Sequence, residues 1–463
     1  MIGKGVRVKK AASDPWRQLE QRGECGRVRA QPQQPPLQRE HEHRRSPRSW
    51  GKSEAVLLMG ALTAHPQKDA HSSVMRVHDR KIKQVARASS ASVRKFAATA
   101  LRGLIGMAKT YNNLFEKIYD FEALYNGYLK ARKGKRDRRE VQLFELDLEG
   151  NLIQLQNELI WGMYKTGDYR RFIINEPKER LVAALPFRDR VVQHALVAVI
   201  EPLWECRFIH DSYACRPGRG THKGADRAQQ MLQAVKRKHG QVFVLKADVS
   251  KYFYSIDHGI IKKLVRRCVA CKKTLQLIDN IIDSTAEDGE LNPVGLPIGN
   301  LTSQLFANVY LNELDEYVKH TLREKYYIRY MDDFCVIHHD KDHLHRIRKD
   351  IEAFLWNELR LKTNSKTQVF PLGDKYGRAL DFLGYRIWTT HRKLRKSSIS
   401  RICKKLRSFQ RKYASGKVTM EKVRESIKSW VAHASHANTY RLRKKLLWSF
   451  VFTKGDYERN SDA

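Results

Sequence analysis

Cysteine is scarce, with seven in 463 residues, an odd number thinly spread along the chain. That excludes a disulfide-framed secreted scaffold and points to a reducing compartment. Long apolar runs are missing as well. No stretch approaches the roughly 18 consecutive apolar residues that a membrane span needs, and the nearest, residues 55–64, is short, interrupted and too deep in the chain for a secretory signal. No membrane partner is therefore expected. Acidic residues are few beside basic ones, 50 against 88, for a net charge of +38. Such an imbalance favours a partner rich in phosphate. Apolar residues are not lacking: 41% of the chain is hydrophobic and 10% aromatic, which suffices for a sizeable core and excludes general disorder.

Composition divides the chain into residues 1–106, 107–390 and 391–463. The first part holds 22 of the 88 basic residues, 8 of the 50 acidic ones and 6 of the 13 prolines. Its segment 31–48 (QPQQPPLQREHEHRRSPR) has almost nothing apolar to offset the entropy of ordering and is expected to be disordered; residues 80–104 read as a solvated basic helix. After Met107 the pattern changes. Tyr111, Leu114, Phe115, Ile118, Tyr119 and Leu124 recur at helical spacing. Val191, Val192, Ala195, Leu196, Val199 and Ile200 predict a second helix, ended by Pro202, and residues 242–247 (VFVLKA) predict a buried strand that runs into Asp248. Helix and strand patterns alternate to about Trp388. Residues 397–448 are helical and basic, with Ile402, Leu406 and Phe409 on one face and Lys404, Lys405, Arg407 and Arg411 around it.

The segment most informative about chemistry is 326–338 (YYIRYMDDFCVIH), two β-prone runs flanking Asp332 and Asp333, which predicts a hairpin with carboxylates at its turn. Adjacent aspartates are also ordinary turn chemistry. Asp248, however, ends another apolar run and is followed by Tyr252, Phe253 and Tyr254, so three carboxylates stand at strand ends. Clustered carboxylates repel unless a cation neutralises them. Magnesium, which takes oxygen ligands from carboxylates and substrate phosphates, is the natural candidate. Two such ions stabilise the attacking and leaving oxygens of an in-line phosphoryl displacement. On a chain of charge +38 the chemistry reads as nucleotidyl transfer on a nucleic acid.

Tyr330-Met331-Asp332-Asp333 is similar to the YxDD box of reverse transcriptases, and Asp248 with its aromatics resembles their first catalytic motif. Residues 295–304 (GLPIGNLTSQ) resemble the motif that meets incoming nucleotide and template. Phe382-Leu383-Gly384-Tyr385 resembles the primer grip, and residues 178–190 and 212–222 look like the fingers motifs. The resemblance implies an α+β right-hand polymerase: fingers and palm with an antiparallel sheet and packed helices over 107–390, then a basic α-helical thumb. Ile298 to Gln304 has the form IGxxxSQ where most relatives carry QGxxxSP. In this, and in segments 109–136 and 429–442, the chain resembles the enzymes of diversity-generating retroelements, bacterial or phage-encoded and cytoplasmic. Such an enzyme copies a template-repeat RNA with errors at adenines. The implied partners are an RNA template, a DNA or RNA primer, dNTPs and a small basic accessory protein. A group II intron-like or retron-like enzyme is the alternative, and a non-catalytic RNA-binding relative the contrasting class.

Carried over by that resemblance, Asp248, Asp332, Asp333 and the Val249 carbonyl would hold two Mg²⁺ ions. Phe253 would act as the gate against a ribose 2′-hydroxyl, Arg180 would pair with the triphosphate, and Lys366 would protonate the leaving pyrophosphate. Ile298, Gly299 and Gln304 would shape the pocket for the nascent pair, where Ile298 offers no hydrogen bond to enforce pairing geometry. Arg216 and Arg219 would meet template phosphates, and Phe382, Leu383, Gly384 and Tyr385 the primer. Cys268 and Cys271 have the spacing of a zinc half-site but no second pair nearby, so they read as two thiols on a helix. His338, His339, His343 and His345 read as a solvated turn. His433 and His436 would either touch nucleic acid or cap helices.

Overall fold

The computed structural model describes residues 109–175, 179–285, 292–373 and 377–454. The expectations for residues 1–106, and Lys178 of the first fingers motif, fall outside these. The helix expected from Tyr111 begins only at Glu116, because Tyr111 bridges to Val269 instead, and it is cut in two, α1 (Glu116–Tyr119) and α2 (Phe121–Arg132), because Asp120 leaves the helical region and caps α2, its carboxylate accepting from the Ala123 N–H at 3.2 Å. After α3 (Arg139–Leu146) and α4 (Leu148–Ile160), an exposed antiparallel hairpin of β1 (Arg170–Ile174) and β2 (Arg180–Ala184) leads into α5 (Phe187–Glu205). Gly127 lets α2 lie close on α5: a Cβ there would meet the Val191 carbonyl oxygen at 2.7 Å. Pro202 does not end α5, contrary to expectation; the helix runs three residues further. Placed in the last turn, proline forfeits one hydrogen bond, to the Ala198 carbonyl, without breaking the helix.

Next come α6 (Thr221–His239), β3 (Phe243–Asp248), α7 (His258–Arg266), α8 (Lys272–Asp283), α9 (Leu301–Glu316), β4 (Tyr327–Tyr330), β5 (Asp333–His338), α10 (Lys341–Leu359) and β6 (Gln368–Pro371). The four strands form one antiparallel sheet in the order β4-β5-β3-β6. Leu245, Ala247, Phe334 and Val336 point to a core shared with α5, α9 and α10, while Val244, Ile328, Cys335 and Ile337 point to a second core with α6. Both faces are covered, which is why β3 and β5 read as continuous apolar runs rather than alternating ones.

A second, three-stranded sheet, β7 (Leu380–Phe382), β8 (Tyr385–Ile387) and β9 (Arg392–Leu394), packs into the α6 core. The predicted basic segment forms α11 (Lys396–Ala414), α12 (Met420–Ser435) and α13 (Tyr440–Trp448) around Ile402, Leu406 and Leu446. Phe409 is only half-buried. Among the described residues no helix is long and apolar enough to cross a membrane.

Candidate active site

The ladder register sets the carboxylates together. Asp248 at the end of β3 pairs directly with Asp333 at the start of β5, and Tyr330 pairs with Asp333 across the Met331-Asp332 turn. The Val249 N–H donates to the Asp332 carbonyl at 3.2 Å, stitching the chain beyond β3 to that turn. The Asp248 carbonyl accepts from the Asn364 N–H at 2.6 Å. All three strand-end aspartates thus face one end of the sheet, as the sequence predicts. Met331 at the apex has φ +55°, a left-handed conformation that a side chain adopts only where its surroundings impose it.

Burial pushes Asp332 up to about 6, with Asp248 and Asp333 adding repulsion and Arg180 opposing it. Burial also raises Asp333, against the pull of Lys246, with which it forms an ion pair. Lys246 sits on β3, where burial works against its charge and the ion pair with Asp333 sustains it. Among the described residues no three His, Cys, Asp or Glu side chains stand ready-made to hold a metal ion. Asp333 is engaged by Lys246, which leaves Asp248 and Asp332 as the pair without a lysine. Two crowded hard-oxygen ligands, Asp332 desolvated and Asp248 half-buried, fit a divalent cation such as Mg²⁺.

The surrounding residues divide sharply. Arg180, at the exposed start of β2, reaches the field of Asp332. The Ala183 N–H of β2 donates to the Ile298 carbonyl at 3.0 Å, so the hairpin lies on the Ile298-Gly299 loop. Gly299 has φ +129°, and Gln304 occupies the first turn of α9. Phe253 is half-buried beside the fully packed Tyr252, whose hydroxyl donates to the Ala307 carbonyl at 2.5 Å. Lys366 is exposed, and its N–H donates to the Asn364 side chain at 3.1 Å, in the loop tied to Asp248.

Arg216 departs from expectation. Its side chain is 3% exposed, forks onto Glu205 at 2.7–3.1 Å and donates to the Ile209 and Ser212 carbonyls. With its donors turned inward it braces the loop and presents nothing to a template phosphate. Arg219 is half-exposed over the Tyr213 ring. In the β7–β8 hairpin Phe382 and Tyr385 are buried, and only Leu383 and Gly384, at φ +54° and +88°, form its tip. The Tyr385 hydroxyl meets His222 at 2.9 Å and the His433 carbonyl at 3.1 Å, and His222 stacks on His436 at 3.8 Å. His433 and His436 therefore join α12 to the hairpin and α6.

Cys268 and Cys271 are buried thiols flanking the turn between α7 and α8, rather than on one helix as expected. His338 and His343 lie ring to ring at 4.3 Å and His343 bonds Glu324, so that cluster is packed more than a solvated turn would be. Behind the Gly299 loop lies a cavity of about 630 Å³ lined by Lys135, Arg138, Arg170, Arg171 and Gln193, a basic recess beside the hairpin.

Two residues with no assigned role complete the site: Lys246, and Arg329, whose fully buried guanidinium pairs with Asp315 and reaches the Met331 carbonyl. Each was detectable as a lone charge inside an otherwise apolar strand.

A two-faced antiparallel sheet with carboxylates at one end, an arginine-bearing hairpin over them and a basic helical region following define a template-copying nucleotidyltransferase of the right-hand type. Residues 173–387 match the family described as reverse transcriptase (RNA-dependent DNA polymerase), a span that contains all three aspartates. YkfC of Escherichia coli strain K12 is 28% identical over 271 residues, covering 50% of this chain and 70% of that protein. Nuclear intron maturase 2, mitochondrial, of Arabidopsis thaliana is 28% identical over 208 residues, 39% of this chain and 27% of that protein. The group II intron-encoded protein LtrA of Lactococcus lactis subsp. cremoris is 29% identical over 164 residues, 34% of this chain and 26% of that protein. The chain thus spans about a quarter of the two intron proteins' length. The span matched to the reverse transcriptase family is just under half of the chain, and the enzyme class it indicates is RNA-directed DNA polymerase.

Proposed function

We propose that the chain makes cDNA at the Asp248, Asp332 and Asp333 end of the sheet, as the error-prone polymerase of a diversity-generating retroelement. The observation that carries the catalytic part is the convergence of the three strand-end carboxylates, with Asp332 raised to about 6 by burial and its neighbours. Such a site holds more negative charge than it can keep without a cation. Asp248, Asp332, Asp333 and the Val249 carbonyl are the residues for two Mg²⁺ ions; when bound, these supply the charge that stabilises the attacking and leaving oxygens of nucleotidyl transfer. Residues 107–390 serve as fingers and palm and 391–463 as thumb.

In this reading Arg180 pairs with the triphosphate, Phe253 excludes a 2′-hydroxyl and Lys366 gives a proton to pyrophosphate. Ile298, Gly299 and Gln304 form the wall around the nascent base pair, and the β2 contact at Ile298 supports that assignment. Arg219 meets the template. The Leu383-Gly384 tip meets the primer, with Phe382 and Tyr385 anchoring it from within the core. An RNA template, a DNA or RNA primer, dNTPs and a small basic accessory protein are the partners, in the cytoplasm of a bacterial or phage-bearing cell.

The diversifying role rests on IGxxxSQ at Ile298 to Gln304. The likeness to an intron maturase and to a group II intron-encoded protein favours a second reading, a group II intron-like enzyme. Sequencing the cDNA made on an RNA carrying all four bases separates the two. Errors concentrated opposite template adenines support the diversifying role; uniform accuracy leaves the intron-like one.

A further inference from the structure

A guanidinium withdrawn from water is costly unless its donors are matched. Arg329, in the middle of β4, is fully buried and matched with few atoms to spare. Its Nε and Nη2 donate to the two oxygens of the equally buried Asp315 at 2.7 and 2.6 Å. Its Nη1 donates to the Met331 carbonyl at 3.0 Å and contacts the Asn308 side-chain oxygen at 3.3 Å. Asp315 also accepts from the Tyr327 hydroxyl at 2.7 Å, and the Asn308 amide passes the network on to the Ala214 carbonyl at 2.9 Å.

Asn308 and Asp315 both belong to α9, the helix that starts just after Ile298 and Gly299 and carries Gln304 in its first turn. One side chain therefore spans from the nucleotide-pocket helix to the peptide that precedes Asp332. That peptide follows a residue at φ +55°, which needs an external hold to persist. Apolar residues replacing Arg329, Asp315 and the Tyr327 hydroxyl together would fill the space equally well, since buried ion pairs add little stability over packed hydrocarbon. What hydrocarbon lacks is a donor for the Met331 carbonyl.

We propose that Arg329 is a positioning residue that locks the Met331-Asp332 turn to α9, setting the Asp332 carboxylate in register with the nucleotide pocket. The inference rests on the reading of Asp332 as part of the catalytic centre. Displacing a reacting group by about 1 Å costs on the order of 100-fold in rate, so loss of the lock acts on turnover rather than on nucleotide binding.

The test is the triple variant Arg329→Met, Asp315→Leu, Tyr327→Phe, which removes the charged pair and the hydroxyl together and leaves no buried ion unpaired. Arg329→Lys is its companion, keeping a charge for Asp315 but losing the fork that also reaches Met331. The full-length protein is assayed for thermal melting, primer–template binding, burst amplitude, and kcat and KM for one incoming dNTP. Expected for the triple variant are near-parental melting, binding and burst amplitude, KM within about threefold, and kcat lower by on the order of 100-fold. A merely structural role would lower burst amplitude and leave the rate per active molecule unchanged, and that result overturns the proposal. So does a parental kcat in either folded variant; should the triple variant not fold, Arg329→Lys decides. Asp332→Ala, run alongside, separates the two levels. If it retains synthesis, the reading of the catalytic centre fails; if it is dead while the Arg329 variants turn over normally, only the lock fails.

Discussion

Replacing Gly299 by alanine should loosen the hairpin over the active site without melting the protein. Gly299 has φ +129°, and an added Cβ would stand 3.0 Å from the Ala183 carbonyl oxygen and 3.2 Å from Val182 Cγ1. Holding a side chain in such a conformation costs about 1–3 kcal/mol. Relieving the close contact by moving β2 away sacrifices the Ala183 to Ile298 hydrogen bond, about 0.5–1.5 kcal/mol. The total is about 2–4 kcal/mol. The exposed two-stranded hairpin, not the core, is the part free to yield. Arg180 rides on that strand, and even 2 kcal/mol corresponds to about 30-fold in an equilibrium. Single-nucleotide incorporation on a primed RNA should show KM for the dNTP raised about 30-fold or more, with a melting temperature near that of the parent. A KM within about threefold of the parent, or a large fall in melting temperature with KM unchanged, would refute this reasoning.

Lys246→Met removes the counter-charge of Asp333 and should destabilise the protein by about 1–3 kcal/mol in chelator, discounting a partly exposed pair; Mg²⁺ should then raise the melting temperature of the variant more than that of the parent. Phe253→Ala should weaken discrimination against ribonucleotides by on the order of 10- to 100-fold, measured as the ratio of kcat/KM for dNTP and rNTP. Arg216→Ala should cost about 2–4 kcal/mol of stability by orphaning Glu205 and leave the salt dependence of RNA binding unchanged, whereas Arg219→Ala should reduce that slope by about 0.7. His194 is held down to about 4 by burial and by Lys135 and Lys130. Its neutral form is the one the fold accepts, so its contribution is complete above about 6.5 and lost as pH falls toward 4. Melting curves should show about 1–2 kcal/mol of acid sensitivity, for a half-buried ring, that His194→Gln removes.

The elements that carry the three aspartates were legible because their pattern is local. β3 is an apolar run that ends on aspartate and β5 one that begins on it, and the two residues between β4 and β5 leave no other way to turn. What escaped depends on partners far along the chain or on capping detail. Arg216 lies in a Gly- and Arg-rich loop that reads as a phosphate binder, yet Glu205 on the preceding helix claims it. Asp120 splits a helix that periodicity alone draws as continuous, and Pro202 spares one that it seemed to end, because position within the turn decides the cost of proline. Lys246 and Arg329 stood in view as single charges in buried strands. Naming their partners, Asp333 and Asp315, needed the tertiary structure.

Whether the three strand-end carboxylates copy RNA is answered by primer extension with the purified chain, Mg²⁺ and dNTPs on a primed RNA template, beside Asp332→Ala. The account expects full-length cDNA from the parent and none from the variant, with binding of primer and template intact in both. Synthesis by Asp332→Ala at the parental rate, or synthesis by the parent that persists when Mg²⁺ and all other divalent ions are chelated, would contradict it.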